Sequence, residues 1–312
     1  MELIKPGTNV NFMALGRISV IVSLVLLVAA LLSFATRGLN FALDFTGGTL
    51  VELEYQAAVK PDAIVEKLEK AGFHAPVVQT LGEQRRVSVR LQTVEGKGNI
   101  EQTTQSVLDL LQSPENPAKV TRSAFIGSQV GEEIVENGVL AMIFVALGFL
   151  IYVTVRFEWK FAVAAIATTL HDVIVVAGIF SLFQIDFDLN VFAGILSVMG
   201  YSINDTIVVF DRVRENFRSM HKAEPIEVMN RSINETLSRT IITSFVALLT
   251  VVALYIFGGS TLEGMALSQI LGIVIGTLSS IFFACPLLIM LGVNKYDLMK
   301  GRDEDSALSD AP

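Results

Sequence analysis

Two groups of polar residues sit inside stretches that are otherwise apolar enough to cross a bilayer: Asn204-Asp205-Thr206 and His171-Asp172. A carboxylate placed well inside a membrane helix costs about 2.5–3.5 kcal/mol on insertion scales. Something must offset that cost. The next apolar run opens with Ser238-Arg239-Thr240. Two helices joined by a loop run antiparallel, so Asp205 and Arg239 can face each other near the loop-side ends. An ionisable residue in the membrane is by default functional. The competing reading is a fixed pair that only holds the two helices together. His171-Asp172 has no cation in sequence reach except His171 itself, so proton chemistry and hydrogen bonding to a neighbouring helix both stand open.

The elements that must position these residues follow from composition and pattern. Hydrophobic residues make up 52% of the chain and charged ones 17%, with a strongly positive mean hydropathy. This is the composition of a polytopic α-helical membrane protein. Cys285 is the single cysteine and there are three scattered histidines, which excludes an intrachain disulfide, a zinc cluster and a haem-attachment motif. No metal or cofactor is expected. The phosphate-cradling G-x-x-x-x-G-K-[ST] pattern does not occur, which argues against an ATP-driven enzyme within the chain.

Six apolar runs are long enough to span: Ile18–Ala35, Val139–Val155, Phe161–Phe183, Leu189–Phe210, Thr240–Phe257 and Met265–Leu291. The first could be a signal peptide, with Ser33-Phe34-Ala35 imitating a cleavage site, but its core is too long, and an uncleaved first span is expected. Small residues recur where helices could approach closely: Gly194, Ser197 and Gly200 in the fourth span, Gly272 and Gly276 in the sixth. Pro286 is expected to kink the last helix. The loop at about 211–239 should form two short helices, with Pro225 at a first helical position and Ile226, Met229, Ile233 and Leu237 on one face. The N-x-[ST] matches at Asn204, Asn230 and Asn234 read as chance hits.

Between the first and second spans, residues 38–136 have the character of a soluble domain. Leu43-Asp44-Phe45-Thr46-Gly47-Gly48 reads as a turn, because paired glycines supply positive φ cheaply. Strands are expected at Thr49–Tyr55, Val77–Leu81, Arg86–Gln92 and Lys119–Ile126, with a turn at Gly82-Glu83-Gln84 between the middle two. Helices are expected from Pro61 to Gly72 and from Asn99 to Gln112. The order β-α-β-β-α-β is the ferredoxin-like α+β pattern, with two helices on one face of an antiparallel sheet. The domain holds nine Lys or Arg against fourteen Asp or Glu, so nucleic acid is not an expected partner. Lys and Arg concentrate in the connections after the second, fourth and sixth spans. By the positive-inside rule both termini, the 211–239 loop and the 295–312 tail are cytoplasmic, and the large domain lies on the far side.

Leu43–Gly48, His171-Asp172 and above all Gly200-Tyr201-Ser202-Ile203-Asn204-Asp205-Thr206 through Phe210-Asp211-Arg212 resemble the SecF family of bacterial protein-export membrane proteins. Six spans with one large domain after the first also match, and the likeness covers nearly the whole chain. The resemblance implies a partner, SecD, built on the same six-helix plan, and a joint fold of the resistance-nodulation-division superfamily. It implies an inner-membrane, lipid-embedded location with the large domain in the periplasm. It further implies work beside the SecYEG translocon, where the proton gradient draws the translocating preprotein out and prevents its return. By motif position Asp205 would carry the proton with Arg239 as its partner, and Asn204, Thr206, His171 and Asp172 would be supporting polar residues. Two other classes stay open: a small-molecule proton antiporter of that superfamily, of which six spans are half a fold, and a passive structural subunit of the translocase.

Overall fold

A computed structural model describes residues 10–73, 76–81, 85–91, 100–220 and 222–294. The turn expected at Gly82-Glu83-Gln84 and the tail from Lys295 lie outside the described residues. A 3-10 turn (Phe12–Leu15) leads into α1 (Gly16–Thr36). After β1 (Asn40–Phe41) and the one-turn helix α2 (Leu43–Thr46) come β2 (Gly48–Tyr55), α3 (Pro61–Lys70), β3 (Val77–Thr80), β4 (Arg86–Leu91), α4 (Ile100–Leu111) and β5 (Ala118–Ile126). Then follow α5 (Ser128–Arg156), α6 (Trp159–Phe183), β6 (Asp186–Phe187), α7 (Leu189–Ser219), α8 (Pro225–Phe257), α9 (Ser260–Phe282) and α10 (Ala284–Met290). Two compact units result: Phe41–Leu140, and Met1–Asn40 together with Ala141–Pro312.

In the smaller unit four strands form one antiparallel sheet in the order β3-β4-β2-β5. The alternation along β2 decides its faces. Val51, Leu53 and Tyr55 enter a core shared with Ile64 and Leu68 of α3 and Val107 and Leu111 of α4. Glu54 is exposed, and Glu52 lies 3.7 Å from Arg122 of the neighbouring β5. The stretch before β2 is a helical turn rather than an open one: the Gly47 amide donates to the Leu43 carbonyl and Gly47 leaves with φ 65°. Gly48 follows at φ +126°, and a Cβ there would stand 2.3 Å from the carbonyl oxygen of Leu91. Only glycine fits that approach.

Among the described residues six helical segments are long and apolar enough to cross a membrane. At least half of the apolar stretch of α6, α7 and α9 is buried inside the chain, and less than a fifth of that of α1, α5 and α8. The inner three therefore form the bundle's interior, and the outer three present Leu, Ile, Val and Phe side chains outward, as hydrocarbon requires. Close approach depends on missing side chains. A Cβ on Gly272 of α9 would lie 2.0 Å from Val198 of α7, and one on Gly178 of α6 would lie 2.3 Å from Ala30 of α1. Gly200, by contrast, has nothing within 4 Å of its Cβ position.

Two local expectations need correction or refinement. The 211–239 segment does not fold into two short separate helices. Instead α7 continues to Ser219 and α8 starts at Pro225, leaving a link of five residues. The apolar stripe explains this: Val228, Met229, Ile233 and Leu237 of α8 bury against a cluster that includes Val209, Val213 and Phe217 of α7, so the helices gain by continuing side by side. At the other end Pro286 does more than bend a helix. It breaks the last span at Phe283, between α9 and α10. Proline at 286 has no N–H for the carbonyl four residues back, and that carbonyl, of Phe282, accepts from Ser19 Oγ of α1 at 2.5 Å.

Candidate functional site

Asp205 lies on α7 about midway along the helix and is buried, 2% exposed. The face of α7 that carries it turns towards α8 and α9. Ser244 Oγ of α8 is 3.5 Å from Asp205 Oδ2, accepts from Tyr201 of α7 at 2.9 Å and lies 2.7 Å from Thr277 Oγ1 of α9. A hydroxyl has one proton to give. Thr277 donates its own to the Ile273 carbonyl at 2.7 Å, so Ser244 must choose between the nearer Thr277 and the more distant Asp205. Asp205 is thus weakly held.

Arg239, five residues before Ser244 on α8, is exposed and forms no ion pair with Asp205. Next to each of them stands a buried threonine, Thr206 and Thr240, whose hydroxyl has no partner among the described residues. Other buried threonines of the bundle behave differently: Thr168, Thr169 and Thr236 each donate to the carbonyl four residues back. Asn204 does not join the site. It is exposed, turned about 100° around α7 from the buried Asp205.

His171 and Asp172 on α6 form the second cluster. Asp172 is fully buried. Its Oδ2 accepts from Ser202 of α7 at 2.5 Å and from Ser279 of α9 at 2.7 Å. Oδ1 lies 2.9 Å from His171 Nδ1. Asp172 thus hydrogen-bonds to two neighbouring helices, α7 and α9. Gly276, the second glycine of the sixth-span motif, leaves room for it: a Cβ there would stand 3.6 Å from Asp172 Oδ2 and 3.4 Å from Ser202. His171 stacks on Phe283 at 4.8 Å, where the break before α10 falls.

Past these clusters the two long helices are tied together by charge. Glu235 of α8 accepts from Arg212 at 2.6 Å and from Asn216 at 2.8 Å, both of α7, and from Arg231 at 2.8 Å. Arg156 of α5 and Arg214 of α7 both reach Asp211 and both lie over the Phe157 ring. Asn230 and Asn234 accept from the backbone of Met13 and Val10, so these two asparagines hold the segment before α1.

The functional residues that sequence reasoning missed are hydroxyls: Ser202, Ser244, Thr277 and Ser279. Serine and threonine are common in membrane helices, where they bond their own backbone. Their spacing along one helix does not say which neighbour they face. Ser202 alone carried a signal, being one turn before Asp205 in the Gly200–Thr206 run.

The geometry agrees with what comparison with known proteins shows. Residues 106–294 match the family described as protein export membrane protein SecD/SecF, C-terminal, and residues 32–59 match the SecD/SecF GG motif, the stretch that contains Gly47 and Gly48. The protein translocase subunit SecF of Pseudomonas aeruginosa is 44% identical over 97% of this chain and 98% of its own length. That of Vibrio alginolyticus is 39% identical over 96% and 95%. Among solved structures, SecDF of Thermus thermophilus, a translocon-associated membrane protein, superposes with a TM-score of 0.82 at 37% identity over 92% of this chain. This chain spans 39% of that longer one. A second SecDF structure, in a super-membrane-facing form, gives a TM-score of 0.66 at 34% identity. The chain belongs to the SecF family of protein-export membrane proteins.

Proposed function

We propose that this chain is an accessory subunit of Sec-dependent protein export that works with a SecD partner and takes its driving force from the proton gradient. The SecDF chains are more than twice as long as this one, and a SecD-type chain supplies the remainder of that assembly here. The pair stands in the inner membrane beside the SecYEG translocon, both termini cytoplasmic and the Phe41–Leu140 unit periplasmic. There it draws the translocating preprotein outward and prevents backsliding.

One observation carries this reading: Asp205 is a buried carboxyl within a membrane helix, held by one long hydrogen bond and with no ion pair to Arg239. A structural carboxylate in hydrocarbon would be expected to find short, strong partners. Asp205 instead has the freedom to change partners with its charge. As a carboxylate it is drawn to Arg239, which stays protonated throughout. As a neutral acid it loses that attraction, and α7 and α8 can repack. One charge moved through 100 mV is worth about 2.3 kcal/mol, enough to bias a two-state switch of comparable energy gap.

The test is export of a Sec substrate into vesicles carrying the complete complex, with and without an imposed proton gradient. Asp205→Asn keeps the shape but cannot carry a proton. It should insert and assemble normally and lose the gradient-dependent part of export. An Asn variant that responds to the gradient as wild type does would leave Asp205 as a structural residue and the chain as a passive subunit.

A further inference from the structure

The two carboxyl clusters flank the same turn of α7 and share two helices. Ser202, which donates to Asp172, lies three residues before Asp205, about 4.5 Å along the helix axis. Ser279, which also donates to Asp172, lies two residues after Thr277, the partner of Ser244. The two sites differ in how they are satisfied. Asp172 accepts from two hydroxyls, Ser202 at 2.5 Å and Ser279 at 2.7 Å, and its other oxygen lies 2.9 Å from His171 Nδ1, so three helices contribute partners. Asp205 has one donor, at 3.5 Å. Ser279 is also 3.1 Å from the Gly276 carbonyl, but the Asp172 oxygen is nearer.

We propose that Asp172 is a positioning residue for Asp205. By accepting from Ser202 and Ser279 at one oxygen, it fixes the rotation of α7 against α6 and α9, and so delivers the Asp205 carboxyl to the Ser244 side of α8. Helices in hydrocarbon lack a hydrophobic force to set their rotation, and interhelical hydrogen bonds and close packing do so instead. The packing at this level is permissive: Gly276 and Ser202 are small, and the Gly276 Cβ position meets its neighbours at ordinary contact distance. Rotation of α7 by one residue, about 100°, would carry Ser202 off Asp172 and Asp205 off Ser244 together. What Asp172 contributes is an acceptor at a fixed point, where the Ser202 and Ser279 hydroxyls converge on Oδ2.

This rests on the proposal that Asp205 carries the proton, so the experiment has one arm that does not depend on it. In the complete complex, with Cys285 replaced by alanine, a cysteine pair is introduced by Asp205→Cys and Ser244→Cys. Oxidative cross-linking between them reports the rotation of α7 whether or not residue 205 titrates. The second arm is gradient-dependent export with Asp205 intact. Asp172→Asn keeps an acceptor where Ser202 and Ser279 converge, and should retain both the cross-link and the response to the gradient. Asp172→Leu removes the acceptor and should lose both, with normal amounts of assembled complex. Ser202→Ala with Ser279→Ala should reproduce that loss and add nothing in the Asp172→Leu background. Should Asp172→Leu fail to assemble, the serine pair, which leaves the carboxyl in place, decides. The proposal is overturned if Asp172→Asn abolishes the gradient response while the cross-link forms, since Asp172 would then be a second proton carrier. It is equally overturned if the serine double variant leaves both readouts at wild-type level.

Discussion

The Phe41–Leu140 unit and the helical unit both enclose apolar side chains, and they differ in the ionisable groups buried with them. In the first, strands and helices close over Val51, Leu53, Val87, Val89, Leu68 and Val107, Glu54 and Glu66 stay at the surface, and Glu52, a buried carboxylate, lies 3.7 Å from Arg122. In the second, apolar side chains face outward along α1, α5 and α8, and the interior holds Asp172, Asp205 and His171 among serines and threonines. A soluble core avoids polar groups because water is the better solvent for them. A bundle in hydrocarbon has no polar solvent outside, so its polar groups collect within. The lesson concerns where to look. In the soluble unit the buried residues are chiefly apolar and report stability, and in the bundle the buried polar residues are where a functional site is proposed.

That contrast can be broken in graded steps. The largest effect belongs to Gly272→Val. Its Cβ alone would enter Val198, a β-branched residue with little freedom to move aside. The cost should exceed the about 1–3 kcal/mol usual for overpacking, with loss of assembled complex on native gels, because α7 and α9 carry residues of both carboxyl clusters. Next is Leu53→Ala, in a side chain with no exposed surface. It should destabilise the soluble unit by about 2–5 kcal/mol, read as faster hydrogen exchange in β2 and α3 of the full chain. Exchange in α6, α7 and α9 should stay unchanged, and equal loosening of both units would contradict the division drawn here. The smallest effect comes from Tyr55. Burial pushes its phenol up to about 12, above an unfolded value of about 10. The folded state therefore favours the neutral form, and its contribution is complete below pH ~10 and lost as pH rises towards 12. Tyr55→Phe should flatten the alkaline loss of protection in β2, and an unchanged profile would refute the assignment.

Much of this architecture was legible beforehand, for reasons tied to particular residues. Runs of apolar residues located the spans, because length against hydrocarbon thickness is a strong constraint. Proline and glycine located the soluble elements: α3 begins at Pro61, and β2 begins at Gly48. What was not legible depended on neighbours. The segment beyond Phe210 looked like a loop because of Arg212, Arg214 and Arg218, yet it stays helical through Ser219 by packing Val213 and Phe217 on the stripe of α8. Asp205 and Arg239 were expected to meet, and no ion pair joins them: Asp205 is buried and Arg239 exposed. Asn204 was grouped with Asp205 by adjacency, but neighbours on a helix are about 100° apart, and Asn204 points away. The hydroxyl partners were hidden for the same reason: periodicity gives the face of one helix but not the rotation of the next.

Of the two buried carboxyls of the bundle, Asp205 is proposed to change protonation and Asp172 to serve as a fixed acceptor. Infrared difference spectroscopy of the reconstituted complex across a pH step tests this assignment directly, because a protonated carboxyl has its own C=O stretch. The account predicts a carboxyl C=O difference band in wild type that persists in Asp172→Asn and disappears in Asp205→Asn. A band that survives in Asp205→Asn and vanishes in Asp172→Asn would contradict it.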